Sequence, residues 1–109
     1  MATGSRSESE TIISNRIRGT INKSGVARLW RNSTGQDQVT HVKYGLTVGS
    51  ADLIGIRNDG RFVSIEVKKP GGVVSPEQWA WIKIVQEFGG LAGIAHNVDE
   101  AMKIIRNGK

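Results

Sequence analysis

Cysteine is absent from the 109 residues, which excludes disulfide staples and thiolate metal sites and fits a reducing interior. Long apolar runs are absent too, none approaching the ~20 residues that a membrane-spanning helix needs. The opening stretch MATGSRSESE lacks the apolar core of a secretory signal. The expectation is therefore a cytoplasmic protein without membrane association. No internal repeat and no low-complexity tract occurs. With 38% hydrophobic residues the chain is too apolar for disorder. Its length suits one domain over residues 1–109, with 1–6 a flexible N-terminus.

Positive charge, by contrast, is in excess. Fifteen Lys and Arg against ten Asp and Glu give a net charge of +5 and a pI near 10.0. A small basic domain favours polyanionic partners, chiefly nucleic acid, although many soluble proteins are mildly basic. The cations form no tail. They are spread from Arg6 to Lys109, so any electrostatic footprint has to be assembled by folding.

Ile13, Ile17 and Ile21 recur every fourth position, the stripe of a helix from about Ser7 to Lys23 that Ser24-Gly25 stops. Val26–Arg31 reads as a short strand. Residues 32–50 are rich in Gly, Ser, Thr, Asn and Gln, with a strand expected at Val39–Val42. A loop this long in a small domain is more often functional than decorative. ADLIGI and RFVSIEVK flank RNDGR, a hairpin signal in which Gly60 suits positive φ. SPEQ opens a helix, with Ser75 as N-cap, Pro76 at the first position and Gln78 closing a capping box. Trp81, Ile82, Val85 and Phe88 mark its buried side, and Gly89-Gly90 ends it. LAGIAH is a strand. Asn97 with Glu100 opens a last helix that buries Ala101, Met102 and Ile105. The order, roughly α-β-β-β-α-β-α, describes a small mixed α/β domain.

The hairpin register can be counted from its turn. With Asn58, Asp59 and Gly60 as the loop and Gly60 left-handed, Arg57 pairs with Arg61. Counting outward sets Asp52 opposite Glu66 on one face, where two carboxylates repel. Leu53, Ile54, Ile56, Phe62, Val63, Ile65 and Val67 cover both faces, so the hairpin is expected to be buried on both sides. Paired, semi-buried acids then need a cation, and their oxygens suit Mg2+ or Mn2+. Lys68 shares the face of Glu66. Its ammonium there could neutralise a phosphate or help position and deprotonate a metal-bound water. A slip of one residue would instead place Asp52 beside Val67 and leave an ordinary solvated strand.

GSADLIGI followed by IEVKKP resembles the motif of the PD-(D/E)xK nuclease superfamily. RNSTG before it and SPEQ after it resemble a narrower group, the virus-type replication-repair nuclease (VRR-NUC) domain, over roughly Glu10 to Ala101. A bare acid-then-ExK pattern is common by chance, whereas the ordered series through SPEQ and the closing Gly-Gly strand is specific. The resemblance implies a restriction-endonuclease-like core, a small mixed sheet flanked by helices. It also implies that Asp52, Glu66 and the backbone carbonyl of Val67 bind metal, and that Lys68 is the catalytic lysine. Gln78 would lie near the active site, and the first helix would supply a glutamate. Glu10 suits that role and further metal binding, because it precedes Ile13 by three on the inward stripe; Glu8 is the rival. Ala51 stands where the superfamily often has proline before the aspartate, a change expected to be tolerated.

The implied activity is a Mg2+- or Mn2+-dependent DNA endonuclease of stand-alone, phage type, favouring branched DNA such as four-way (Holliday) junctions. Because one site cuts one strand, resolving a symmetric junction calls for a C2 homodimer. A flap or single-strand cutter, a sequence-specific nuclease and a non-catalytic basic DNA-binding module remain as alternatives. Arg31 and Asn32 are candidate phosphate contacts, with Lys43, Lys69 and Arg57 weaker ones. Trp30 and Trp81 are expected in the core and Trp79 at an interface. His96 reads as a strand-end residue and His41 as a phosphate or partner contact. Capping alone would explain Gln78 unless its side chain is shared.

Overall fold

Within residues 8–107, which the computed structural model describes, the isoleucine stripe folds as helix α1 (Glu8–Ser24). The segment 1–6 and the expected helix start at Ser7 lie outside the described residues. Strand β1 (Ala27–Arg31) follows, then a short ribbon of β2 (Gly35–Gln36) and β3 (Lys43–Tyr44). The hairpin is β4 (Leu53–Arg57) and β5 (Phe62–Val67); α2 (Pro76–Glu87), β6 (Leu91–Ala95) and α3 (Val98–Asn107) complete the order. The four longer strands form one mixed sheet, β1-β4-β5-β6, antiparallel except for β5 and β6. A small mixed sheet flanked by helices is the expected fold class, with the β2–β3 ribbon as an addition.

Alternation along the strands decides what each helix covers. Leu29, Leu53, Val63, Ile65 and Val67 share one face with Leu91 and Ala95. They are sealed by Ile17 and Ile21 of α1 and by Ala101, Ile104 and Ile105 of α3. Each leucine, isoleucine or valine side chain so removed from water contributes about 1.5–3 kcal/mol. On the other face Ile82 and Val85 of α2 pack on Ala92, with Trp81 and Ile94 beside them. Because α2 lies over β5 and β6, the β1–β4 half of that face stays open. Ile56 and Phe62 are therefore exposed, against the expectation of a hairpin buried on both sides. Trp30, expected in the core, is half-exposed under the Arg28 guanidinium, and Phe88 also points outward. Trp81 is only partly buried, and its indole Nε1 donates to Ser64 Oγ at 2.7 Å.

Local hydrogen bonding explains the remaining boundaries. Gly60 has φ 93° and donates to the Arg57 carbonyl, while Arg57 N–H donates to the Arg61 carbonyl, both at 2.8 Å. The register that follows, Leu53 beside Ile65 and Ile56 beside Phe62, is the one counted from the turn. Val39–Val42 is not a strand. The Asp37 carboxylate accepts from the N–H groups of Val39 and Thr40, folding a turn there. Those bonds, Thr40's first, hold the Asp37 carboxyl below its ordinary range. At the sheet edge the Asn22 amide bonds both the N–H and the carbonyl of Leu29, closing β1 as a strand neighbour would. Asn97 Oδ1 accepts from Glu100 N–H at the start of α3. The Glu100 carboxylate reaches back to His96 N–H and its ring, at the end of β6 where His96 was expected.

Candidate active site

The site begins where the β4–β5 pairing stops. Arg57 and Arg61 form a hydrogen-bonded pair, so by alternation Asp52 and Glu66 extend the ladder at a non-hydrogen-bonded position, where side chains lie closest. Beyond it the backbone ladder is replaced by a side chain: Asp52 Oδ2 accepts from Val67 N–H at 2.9 Å. The N–H and carbonyl of a strand residue leave on the same side. The Val67 carbonyl is thus directed toward the edge that Asp52 occupies. Asn32 secures the approach to Asp52. Its amide donates to Ser50 Oγ and to the Ala51 carbonyl, each at 2.8 Å, and its backbone N–H donates to the Asp52 carbonyl.

Glu66 is 3% exposed, and a carboxylate so buried requires donors. Gln78 Nε2 donates to its Oε2 at 3.0 Å, and Lys68 Nζ lies 3.7 Å from the same oxygen. Gln78 does so while capping α2. Ser75 N–H donates to Gln78 Oε1 and Gln78 N–H donates to Ser75 Oγ, so the reciprocal box is complete. One amide is shared, its oxygen holding the helix start and its nitrogen holding Glu66.

Glu10 enters from α1, 9% exposed, and its Oε2 accepts from Lys69 N–H at 3.1 Å. Glu8 is exposed. Lys69 through Gly72 form a turn with Pro70 followed by Gly71 at φ 81°, closed by Gly72 N–H on the Lys69 carbonyl. This turn lays Gly72 against the site. A Cβ there would lie 3.3 Å from Glu10 Oε2 and 3.4 Å from Lys68 Cδ.

Asp52, Glu66, Lys68, Gln78 and Glu10 are therefore gathered around the end of β5. Arg31 at the end of β1, Lys43 on the ribbon and Lys69 in the turn stand on the surface. Among the described residues no three His, Cys, Asp or Glu side chains form a ready metal cluster. Two carboxylates and a carbonyl are nevertheless hard oxygen donors of the kind that suits Mg2+ or Mn2+, with water and substrate completing the shell.

A sequence model of the VRR-NUC domain matches residues 8–99. The chain belongs to the VRR-NUC family. It is accordingly a nuclease of the PD-(D/E)xK type, a type that generally uses divalent metals, and its substrate class makes DNA a partner. No curated protein matched the sequence. Among the described residues no helix is long and apolar enough to cross a membrane. Two features of this VRR-NUC fold escaped sequence reading. Gly72 could have been suspected from the KPGG turn, which returns the chain on itself. The buttress that Asn32 provides to Ser50 and Ala51 had no local signal, because it spans 18 and 19 residues.

Proposed function

We propose that this VRR-NUC chain is a Mg2+- or Mn2+-dependent DNA endonuclease that prefers branched DNA such as four-way junctions and acts as a homodimer. One observation carries the catalytic part: buried Glu66, held between Gln78 and Lys68, extends the ladder opposite Asp52, whose carboxylate is fixed by Val67 N–H. Asp52, Glu66 and the Val67 carbonyl would hold the cation, with Glu10 beside them. A bound divalent ion supplies Lewis-acid charge and a water of lowered pKa.

The chain's own groups do the positioning. Gln78 Nε2 fixes the Glu66 carboxylate, and Val67 N–H fixes that of Asp52. At 3.7 Å from Glu66, the Lys68 ammonium is only loosely paired. It keeps donors for a phosphate oxygen on which charge develops. Glu10, through Lys69 N–H, steadies the backbone next to Lys68. Arg31, Lys43 and Lys69 are assigned to backbone phosphates, contacts that weaken as salt rises. Asn32 contributes chiefly by holding the loop before Asp52.

The test is a panel of duplex, flap, fork and four-way junction with Mn2+, using wild type, Asp52→Asn and Lys68→Ala, with binding and cleavage read separately. Wild type is expected to cut the junction best. Both variants should still bind and should cut about 100-fold more slowly or worse. Undiminished cutting by both variants refutes the site assignment. Binding without any cutting by wild type favours the non-catalytic DNA-binding module. A flap preference replaces the junction reading.

A further inference from the structure

Trp79, one residue past Gln78, leaves 54% of its surface in solvent. Its place is fixed by Gln86, seven residues on and therefore on the same stripe of α2. Gln86 Nε2 donates to the Ala92 carbonyl at 2.8 Å. β6 is the edge strand of its sheet, and Ala95 turns its carbonyl inward to Lys68 N–H. By alternation the Ala92 carbonyl points off the sheet, so the Trp79–Gln86 stripe follows the outer edge of β6. Gly90 N–H donates to the Val85 carbonyl at 2.8 Å, closing the tight reversal that sets α2 antiparallel to β6. Seven helical residues span about 10 Å, the length of about three strand residues. Stepping back from Gln86 to Trp79 therefore moves from Ala92 to Ala95 and His96. Ala95 is the register partner of Val67. Trp79 thus stands level with the candidate active site, on the side of β5 away from Asp52.

We propose that the Trp79 indole is a stacking platform for an unpaired nucleobase beside the phosphate at Lys68. Cations flank the ring on both sides. Lys68 lies at the end of β5, and exposed Lys83 follows Trp79 by one turn of α2, about 6 Å along the helix. An aromatic face between ammonium groups suits a single nucleic-acid strand, with the base on the ring and its phosphates on the cations. DNA is the occupant because the platform is continuous with the site: Gln78, next in sequence, holds Glu66. A protein seated there would crowd the strand that has to enter. In a duplex both faces of a base are covered by its neighbours, and freeing one costs unstacking energy. A base at a fork, flap or branch has already lost that cover. Trp79 therefore gives the site a physical means of favouring branched DNA over duplex. This inference rests on the nuclease function proposed above and names the part of the substrate that one side of the site grips.

The experiment uses the full chain and a forked duplex with 2-aminopurine at its first unpaired position, without divalent metal so that nothing is cut. Anisotropy reads affinity, 2-aminopurine emission reads stacking, and circular dichroism checks folding of wild type, Trp79→Ala and Trp79→Phe. Wild type should quench the probe and bind the fork more tightly than the matching duplex. Trp79→Ala should bind the fork about 5–150-fold more weakly, leave the emission unchanged and lose most of the fork-over-duplex preference. Trp79→Phe should restore most of the quenching. Equal fork affinity and quenching in wild type and Trp79→Ala overturn the proposal. So does a Trp79→Phe variant as defective as Trp79→Ala, because the loss would then not follow the aromatic face. Cleavage with Mn2+ is measured on the same two substrates. Stacking in a wild type that never cuts would refute the nuclease function and leave the platform standing. Cutting without quenching would keep the nuclease and remove the platform.

Discussion

Gln78 allows capping and positioning to be separated by three substitutions. Ser75→Ala removes the hydroxyl that accepts Gln78 N–H but leaves the amide on Glu66. Loss of such a cap costs about 1 kcal/mol, or roughly 4–8 °C in Tm for a chain of this size. Gln78→Glu keeps an oxygen for Ser75 N–H but turns the donor facing Glu66 into an acceptor. Gln78→Ala removes both contacts, the second being a hydrogen bond to a charged and buried group worth about 1.5–3 kcal/mol. With about 0.5–1.5 kcal/mol for the Ser75 N–H bond, its total cost is roughly 2–4.5 kcal/mol. If the amide orients Glu66, Gln78→Ala and Gln78→Glu should cut about 10–100-fold more slowly. Ser75→Ala should stay within about threefold of wild type, since its 1 kcal/mol falls on folding rather than on the site. The assay is single-turnover cleavage at a temperature where melting curves show all three folded. Equal rates for Ser75→Ala and Gln78→Ala would refute the positioning role and reduce Gln78 to a helix cap.

Asp52→Asn keeps an acceptor for Val67 N–H, so metal-free melting should be unchanged or slightly raised as the repulsion from Glu66 falls. Wild type at about 100 times the dissociation constant of Mn2+ should gain about 2.7 kcal/mol; an equal gain in the variant would remove Asp52 from the cation site. Gly72→Ala places a methyl against Glu10 and Lys68, whereas Gly71→Ala strains the turn with nothing within 4 Å of its Cβ. Cleavage should fall further in Gly72→Ala although both destabilise, and the reverse order would show that the turn matters only for folding. Glu100 is held below its ordinary value of 4.5, first by His96 N–H. A depressed carboxylate adds stability that is present above its unfolded pKa and is lost as pH falls through the folded one. Urea titrations should therefore show a shallower loss of stability below about pH 4.5 in Glu100→Gln than in wild type, and parallel losses would refute the linkage.

The parts of this protein legible in its sequence are those decided by near neighbours. The capping box at Ser75 and Gln78 and the glycine turn at Gly60 depend on contacts a few residues long. From that turn the register followed, and with it the opposition of Asp52 and Glu66. Once the family resemblance asks for a glutamate on the first helix, helical period favours Glu10 over Glu8, and Glu10 is the buried one of the two. Tertiary structure decided what covers what. Trp30, Ile56, Phe62 and Phe88 have the same apolar chemistry as Leu53 and Val63, and no local pattern states that α2 sits over β5 and β6 alone. Exposure belongs to a whole sheet and its helices, so local pattern places these four residues in the core while the fold leaves them on the surface. The sharing of Gln78 between Ser75 and Glu66, the bracing of the Asp52 loop by Asn32 and the packing of Gly72 on Glu10 and Lys68 were likewise set only by folding. Each joins segments that the chain separates and that only the assembled sheet brings within a hydrogen bond or a van der Waals contact.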